Sequence, residues 1–226
     1  MKPVRGQTLE VQIERLAVGG RGVARHEGLV IFVPDTAPGE RVEVTLTLVK
    51  KNFAEAKLNR VLHPSSHRRT PPCPVAGVCG GCNWQHLEYD EQVRVKRELV
   101  RESLSKFSGF DVSKTESVSP VIASPREFRY RNRSQFHHDG SKFGYFKRGS
   151  HSIVDIDDCP ITEEAIAAKI PELKKQLANK KPGRIEVSLD QDGVVRVKSA
   201  DIQHDEDEGG GLSFSQVNSE QNKLLI

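Results

Sequence analysis

Three of the four cysteines stand together as Cys73-x5-Cys79-x2-Cys82, and the fourth, Cys159, lies far downstream, followed by a proline as Cys73 is. Four thiolates complete the ligand set of a cubane iron–sulfur cluster or of a structural zinc, so the chain has cysteine for one such centre and none to spare. Gly80 and Gly81 fill the interval between Cys79 and Cys82, where backbone without side chains can wrap closely and aim N–H groups at sulfur. Pro74 and Pro160 give the first and last cysteines a Cys-Pro ending that also occurs in bacterial iron–sulfur runs. Zinc sites more often pair their ligands as two C-x2-C units, whereas here one unit is extended by a five-residue step and the other is a lone cysteine. The spacing favours iron and sulfur, with zinc, disulfides and four unrelated buried thiols as the alternatives. With four thiolates to hand, His86 is read as a packing or hydrogen-bonding residue.

The second chemical signal is Phe128-Arg129-Tyr130-Arg131-Asn132-Arg133, answered by Phe143-Gly144-Tyr145-Phe146-Lys147-Arg148. Read as a hairpin around Asp139-Gly140, strand alternation puts Arg129, Arg131 and Arg133 on one face and Phe128 and Tyr130 on the other. One face then meets phosphate while the other packs; the alternative is an amphipathic hairpin with an ordinary polar outer face. His137 and His138 flank the turn and are read as polar residues near it.

These groups sit in a soluble composition: 226 residues, 36% hydrophobic and 29% charged, with a formal net charge of +3. The charge is uneven. Lys50, Lys51, Lys57, Arg60, Arg68 and Arg69 face only Glu55 across residues 50–69, and residues 126–148 carry seven Lys or Arg against Glu127 and Asp139. Two basic stretches point to a polyanion partner. The start, Met1-Lys2-Pro3-Val4-Arg5, has no apolar signal core, and no stretch approaches the roughly 18 apolar residues of a membrane span. The expected setting is a reducing cytoplasm, which makes disulfides the weakest cysteine reading. No Gly-x-Gly-x-x-Gly follows a strand and no phosphate loop is present.

The positioning elements follow from periodicity. Leu9, Val11 and Ile13 alternate, as do Val42, Val44, Leu46 and Leu48, and turn signals at Gly19–Gly22, Glu27-Gly28 and Pro38-Gly39 separate them. With a run at Leu29–Val33 and a last strand near Glu55–Leu62, five strands predict a small barrel of the oligonucleotide-binding kind over residues 1–63. A basic linker, Pro64–Pro72, leads to the cysteines, and a helix is expected from Glu88 to Phe107 with a solvated charged face. A strand at Ser152–Ile156 delivers Cys159. Thr162, Glu163 and Glu164 start a helix that Pro171 should kink or restart, and Arg184–Leu189 with Val194–Lys198 form another hairpin. Asp201–Glu208, with five carboxylates, runs into Gly209–Gly211 as a solvated connector.

Together, Cys-x5-Cys-Gly-Gly-Cys-x2-Gln85-His86, the Phe128 hairpin, Ile153-Val-Asp-Ile-Asp-Asp-Cys159-Pro-Ile and Phe214-Ser-Gln216-Val-Asn218 resemble the RNA uracil-5-methyltransferases, closest to ribosomal members with an N-terminal TRAM barrel and a 4Fe-4S cluster. The resemblance implies a β-barrel (OB-like TRAM domain) over 1–63, an α+β central domain over 64–200, and at 201–226 a linker and the start of a methyltransferase domain, with the Rossmann-like methyltransferase domain itself absent from this chain. It implies Cys73, Cys79, Cys82 and Cys159 as cluster ligands and Gln216 beside S-adenosylmethionine and the target base, with no catalytic residue in these 226 residues. The basic stretches supply the expected RNA contacts: Arg129, Arg131, Arg133, Lys147, Arg148, Lys50 and Lys51. The implied function is the RNA-binding, cluster-bearing front part of an enzyme that methylates C5 of a uracil, with 23S ribosomal RNA the expected partner, no membrane, and a monomeric state. The alternative is a stand-alone truncated RNA-binding iron–sulfur protein without activity.

Overall fold

The computed structural model describes residues 3–106, 111, 118–190, 192–199 and 216–224. They divide into two compact units, residues 1–71 with 83–121, and residues 72–82 with 122–226. The division is not linear, because the cysteine loop leaves the first unit and returns to it.

The first unit is a curled antiparallel sheet of β1 (Thr8–Gln12), β2 (Arg15–Leu16), β3 (Gly22–His26), β4 (Leu29–Val33), β5 (Arg41–Val49) and β6 (Phe53–His63), in the order β1-β5-β6-β4-β3-β2. The expected five strands become six because Ile13 and Glu14 break the first one, and the β4–β6 contact is parallel. The two edge strands are consecutive in the chain, so the sheet rolls on itself around Val11, Ile31, Val42, Val44 and Leu46, each at most 4% exposed. That is the alternation read from sequence. Helix α1 (Tyr89–Ser105) belongs to this unit: it buries Val95 beside Leu16, Ala37 and Leu87, while Val100 stays exposed. The predicted end at Phe107 lies outside the described residues.

A buried ion pair closes this unit. Glu40, fully buried, accepts from Arg68 Nε and Nη2, from Ala37 N at 2.8 Å and from Ser65 N at 3.3 Å, and Arg68 Nη2 also donates to the Asp35 carbonyl at 2.8 Å. Burial works to raise the Glu40 carboxyl, but Arg68 and the two N–H groups outweigh it and hold it below its usual range. His86, buried next to this pair, bonds the Thr36 carbonyl at 3.1 Å, the packing role expected of it; burial lowers its pKa.

The second unit is an antiparallel sheet in the order β11-β10-β7-β8-β9: β7 (Arg133–His138), β8 (Phe143–Phe146), β9 (Ile153–Asp155), β10 (Gly183–Leu189) and β11 (Val195–Ser199). Helix α2 (Glu164–Gln176) covers one face, packing Ile166, Ile170 and Leu173 onto Phe136, Phe143, Ile185 and Val187. Pro171 sits inside α2 without ending it, and Thr162 bonds the Cys159 carbonyl instead of capping the helix, whose N-cap is Glu163. A short helix, α3 (Ser219–Lys223), lies at the C-terminal end of the described residues. The linker and glycine run predicted at 201–211 lie outside them. No helix among the described residues is long and apolar enough to cross a membrane.

The predicted hairpin begins five residues late. Arg129 has φ +53° and residues 129–131 do not pair with the returning strand; they pair with the segment after Cys159, through Arg129 N to Pro160 O and Arg131 N to Ile161 O, both at 2.8 Å. The three arginines therefore do not share one strand face.

Candidate functional site

The cysteine loop is strapped to the end of β8. Gly80 N donates to Phe146 O at 2.9 Å, Arg148 N to Val78 O at 3.1 Å and Arg148 Nη2 to Cys82 O at 3.3 Å. A Cβ on Gly80 would lie 2.9 Å from the Phe146 carbonyl oxygen, so only glycine permits this approach. Gly81 N points at Cys79 Sγ at 3.4 Å, the N–H to sulfur contact expected of the Gly-Gly pair. Cys159 is buried against the core that Cys82 also packs on, and its carbonyl accepts from Thr162 N, Thr162 Oγ1 and Arg129 Nη1.

All four cysteines are free thiols. Burial pushes the Cys79 and Cys159 thiols up, and the charge of Cys73 adds to the rise at each. Cys73 is thus within electrostatic reach of Cys79 and Cys159, which joins the loop to the distant Cys159 strand. Among the described residues, no group of three or more His, Cys, Asp or Glu is gathered tightly enough to hold a metal ion. Tyr145 stands beside the thiols: its ring carbons lie 3.7 Å from the place a Gly81 Cβ would take, with Cys79 Sγ 3.5 Å from that point, and it packs on the core containing Cys159. Burial first, then the Cys159 charge, raise its phenol pKa.

The basic residues named from sequence fall into different settings. Arg129 is paired with Asp158 at 2.8 Å, which pulls the Asp158 carboxyl down, and Arg133 with Glu186 at 2.8 Å. Arg131 donates through Nε to the Arg133 carbonyl at 2.9 Å, and Arg148 serves the cysteine loop. Lys147 is exposed beyond β8, and Lys50 and Lys51 are exposed at the β5–β6 turn of the first unit. The aromatics of that unit include Phe32, with the Arg21 guanidinium 4.7 Å above its ring, although Arg21 also pairs with Glu55 at 2.8 Å.

Gln216 is exposed, and its backbone is held by the irregular strand before β7. Asn132 Nδ2 donates to the Gln216 carbonyl at 3.3 Å and to Ser219 Oγ at 2.6 Å, and Asn132 N donates to Val217 O at 2.9 Å. Asn218 bonds Ser124 at 2.9 Å and caps α3 by accepting from Gln221 N, while Arg126 bridges Glu220 and Glu163 at 2.8 Å each. The Gln216 segment is therefore a docked edge of the second unit.

Sequence reading missed His137. It does flank the turn, at the end of β7, but it also stacks its ring on Phe146 with centroids 3.8 Å apart and planes at 21°. His138 is buried at 1% exposure in the opposite face of the sheet. Alternation, carried two residues past Gln135, would have separated them.

Residues 4–58 match the TRAM domain. A protein of Bdellovibrio bacteriovorus named as an uncharacterized RNA methyltransferase is 46% identical over 227 residues, covering 99% of this chain and 56% of that protein. A Synechocystis protein of the same description is 39% identical over 181 residues, covering 78% of this chain and 38% of its own length. The chain thus spans about half the length, or less, of these curated relatives. Among solved structures, the Pyrococcus abyssi tRNA (uracil-54, C5)-methyltransferase in complex with S-adenosyl-L-homocysteine aligns with TM-score 0.60 and 25% identity, over 84% of this chain and 45% of that one. These matches correct the expected fold class. A barrel plus α+β domain set apart from the methyltransferase fold does not hold, because the likeness to methyltransferases runs through 99% of this chain in sequence and 84% in structure, with two sheets and few helices throughout. The chain carries a TRAM domain and, along almost its whole length, is similar to proteins named as RNA methyltransferases.

Proposed function

We propose that this chain belongs to an RNA methyltransferase that transfers a methyl group from S-adenosylmethionine to C5 of a uracil, with the TRAM domain and the second unit holding the RNA. The observation that carries this reading is the sequence match over 99% of the chain, supported by the likeness to a uracil-C5 methyltransferase solved with S-adenosyl-L-homocysteine. S-adenosylmethionine supplies the methyl group when bound; the part played by this chain's residues is to bind and orient. Gln216 is the residue proposed to present its amide to the cofactor or the target base; its exposure, on a segment held by Asn132, Arg126 and Ser124, supports this. Lys50, Lys51 and Lys147 are exposed cations for phosphate contact. Ribosomal RNA is the proposed substrate class, on the pairing of a TRAM domain with the four cysteines.

Cys73, Cys79, Cys82 and Cys159 are the proposed ligands of a 4Fe-4S cluster. What supports this is the donor set itself, four free thiols of which Cys73 is felt by both Cys79 and Cys159, and the Gly81 N–H aimed at Cys79 sulfur. Such a cluster supplies one-electron chemistry or a covalent tie between segments; here the residues that hold it would fasten the 73–82 loop to the strand before α2, and binding would draw the thiolates together. The RNA reading is tested by titrating structured RNA against the protein at several salt concentrations. Affinity falling steeply and linearly in log salt is expected; binding that ignores salt, or none, removes it.

A further inference from the structure

The face of the second sheet opposite α2 carries a site that the RNA reading above does not name. Its residues are the odd positions of β7 and the even positions of β8 and β10: Gln135, His137, Phe146 and Arg184 among them. Strand register sets His137 opposite Gly144 on one side and opposite Arg184 on the other. Gly144 cannot be replaced, since a Cβ there would lie 2.2 Å from the Val154 carbonyl oxygen. His137 leans across to Phe146, the diagonal neighbour, and the rings stack at 3.8 Å, tighter than the usual 4.5–7 Å of aromatic pairs. His151 meets Phe146 edge-on at 5.4 Å. β8 thus supplies the stacking partner of His137, and the other neighbour of β7 is β10.

On that side stands the exposed Arg184. The other guanidinium groups of this face are occupied, Arg133 with Glu186 and Arg196 with Asp190, whereas Arg184 forms no ion pair among the described residues. Burial and the Arg184 charge lower the His137 pKa, which favours the neutral imidazole, whose π-face carries no charge to repel Arg184.

We propose that His137 and Phe146 form a stacking platform for an unpaired base of single-stranded RNA, with Arg184 taking the adjacent phosphate. The inference rests on the RNA-binding reading and adds to it the site and the kind of nucleotide bound. A neutral stack next to an unpaired cation fits RNA better than a protein partner, since bases stack on aromatic and histidine rings while the backbone needs a cation alongside.

The test uses the full chain and a fluorescent single-stranded oligoribonucleotide. Phe146→Leu and His137→Leu are expected to weaken binding about tenfold without changing the salt slope, and His137→Tyr, which keeps a ring, should retain most of the affinity. Arg184→Gln is expected to weaken binding and to reduce the salt slope by about 0.7 unit, one phosphate's worth on a single strand. With 2-aminopurine in the RNA, the unaltered chain should quench its fluorescence by stacking. RNA binding by the unaltered chain with no quench, or binding undiminished in the two leucine variants, overturns the platform alone; no binding by the unaltered chain overturns the RNA reading with it.

Discussion

Replacing Glu40 by Gln should be among the most damaging single changes in the first unit. The carboxylate is fully buried and takes four hydrogen bonds, two from Arg68 and one each from Ala37 N and Ser65 N. Gln keeps the shape but has one acceptor oxygen, and its NH₂ group would face a donor that the carboxylate now satisfies. Arg68 would be left as a largely buried cation without its ionic partner, with the Asp35 carbonyl and at most the one amide oxygen as acceptors. Breaking a buried pair in this way costs about 3–5 kcal/mol, equivalent to roughly 2 M in urea midpoint for a small domain. The single tryptophan, Trp84, donates to Gly20 O at 3.2 Å within this unit, so its emission follows the transition. Glu43→Gln, which breaks the more exposed Arg60–Glu43 pair, should cost under about 1 kcal/mol. The pH dependence has a definite sign. Glu40 is held low in the folded state, so its contribution is complete above the ordinary carboxylate range and is lost as pH falls through the depressed folded value. Glu40→Gln should lack that acid loss. Equal effects of Glu40→Gln and Glu43→Gln would refute the reasoning.

Three further outcomes are expected. Protein prepared without oxygen should carry about four irons per chain, and Cys159→Ala should lose as much iron as Cys79→Ala; one zinc and no iron would reject the cluster. Arg133→Ala should lower stability by about 1–3 kcal/mol, because Glu186 loses its charged partner and keeps the longer bond from Gln135 at 3.3 Å; thermal melting reads the loss, and an unchanged melting temperature would show the pair to be idle. Asn132→Ala should speed amide hydrogen exchange at Val217 and its neighbours, because both Asn132 side-chain bonds to the Gln216 segment are removed; unchanged exchange would mean that Arg126, Ser124 and the backbone bond of residue 132 to Val217 suffice to dock it.

The parts legible in the sequence were those set by local period. Val42, Val44 and Leu46 alternate and all are buried, and Ile185 and Val187 do the same in β10. The Gly81 contact with Cys79 sulfur was legible because it needs only neighbouring residues. What failed depended on partners distant in sequence. The run from Phe128 to Asn132 alternates as a strand should, yet Arg129 takes a left-handed conformation and the segment pairs with residues 160–163, a choice that no local pattern encodes. Glu40 is a lone carboxylate in a turn until Arg68 reaches it from 28 residues away. Pro171 is expected to kink or restart α2, but the helix continues through it, held by Ile166, Ile170 and Leu173 packing on the sheet, and tertiary burial outweighs one missing hydrogen bond.

The proposed activity is methyl transfer to C5 of uracil in RNA. The direct measurement incubates the full-length protein with unmodified RNA transcripts and methyl-labelled S-adenosylmethionine, then digests the RNA to nucleosides and identifies the labelled one by mass. Label is expected in 5-methyluridine, reduced by Gln216→Ala and by removal of residues 4–58, the TRAM domain. Label on another nucleoside, or an RNA left unlabelled by folded protein that binds it, would rule out uracil-C5 methylation as the activity.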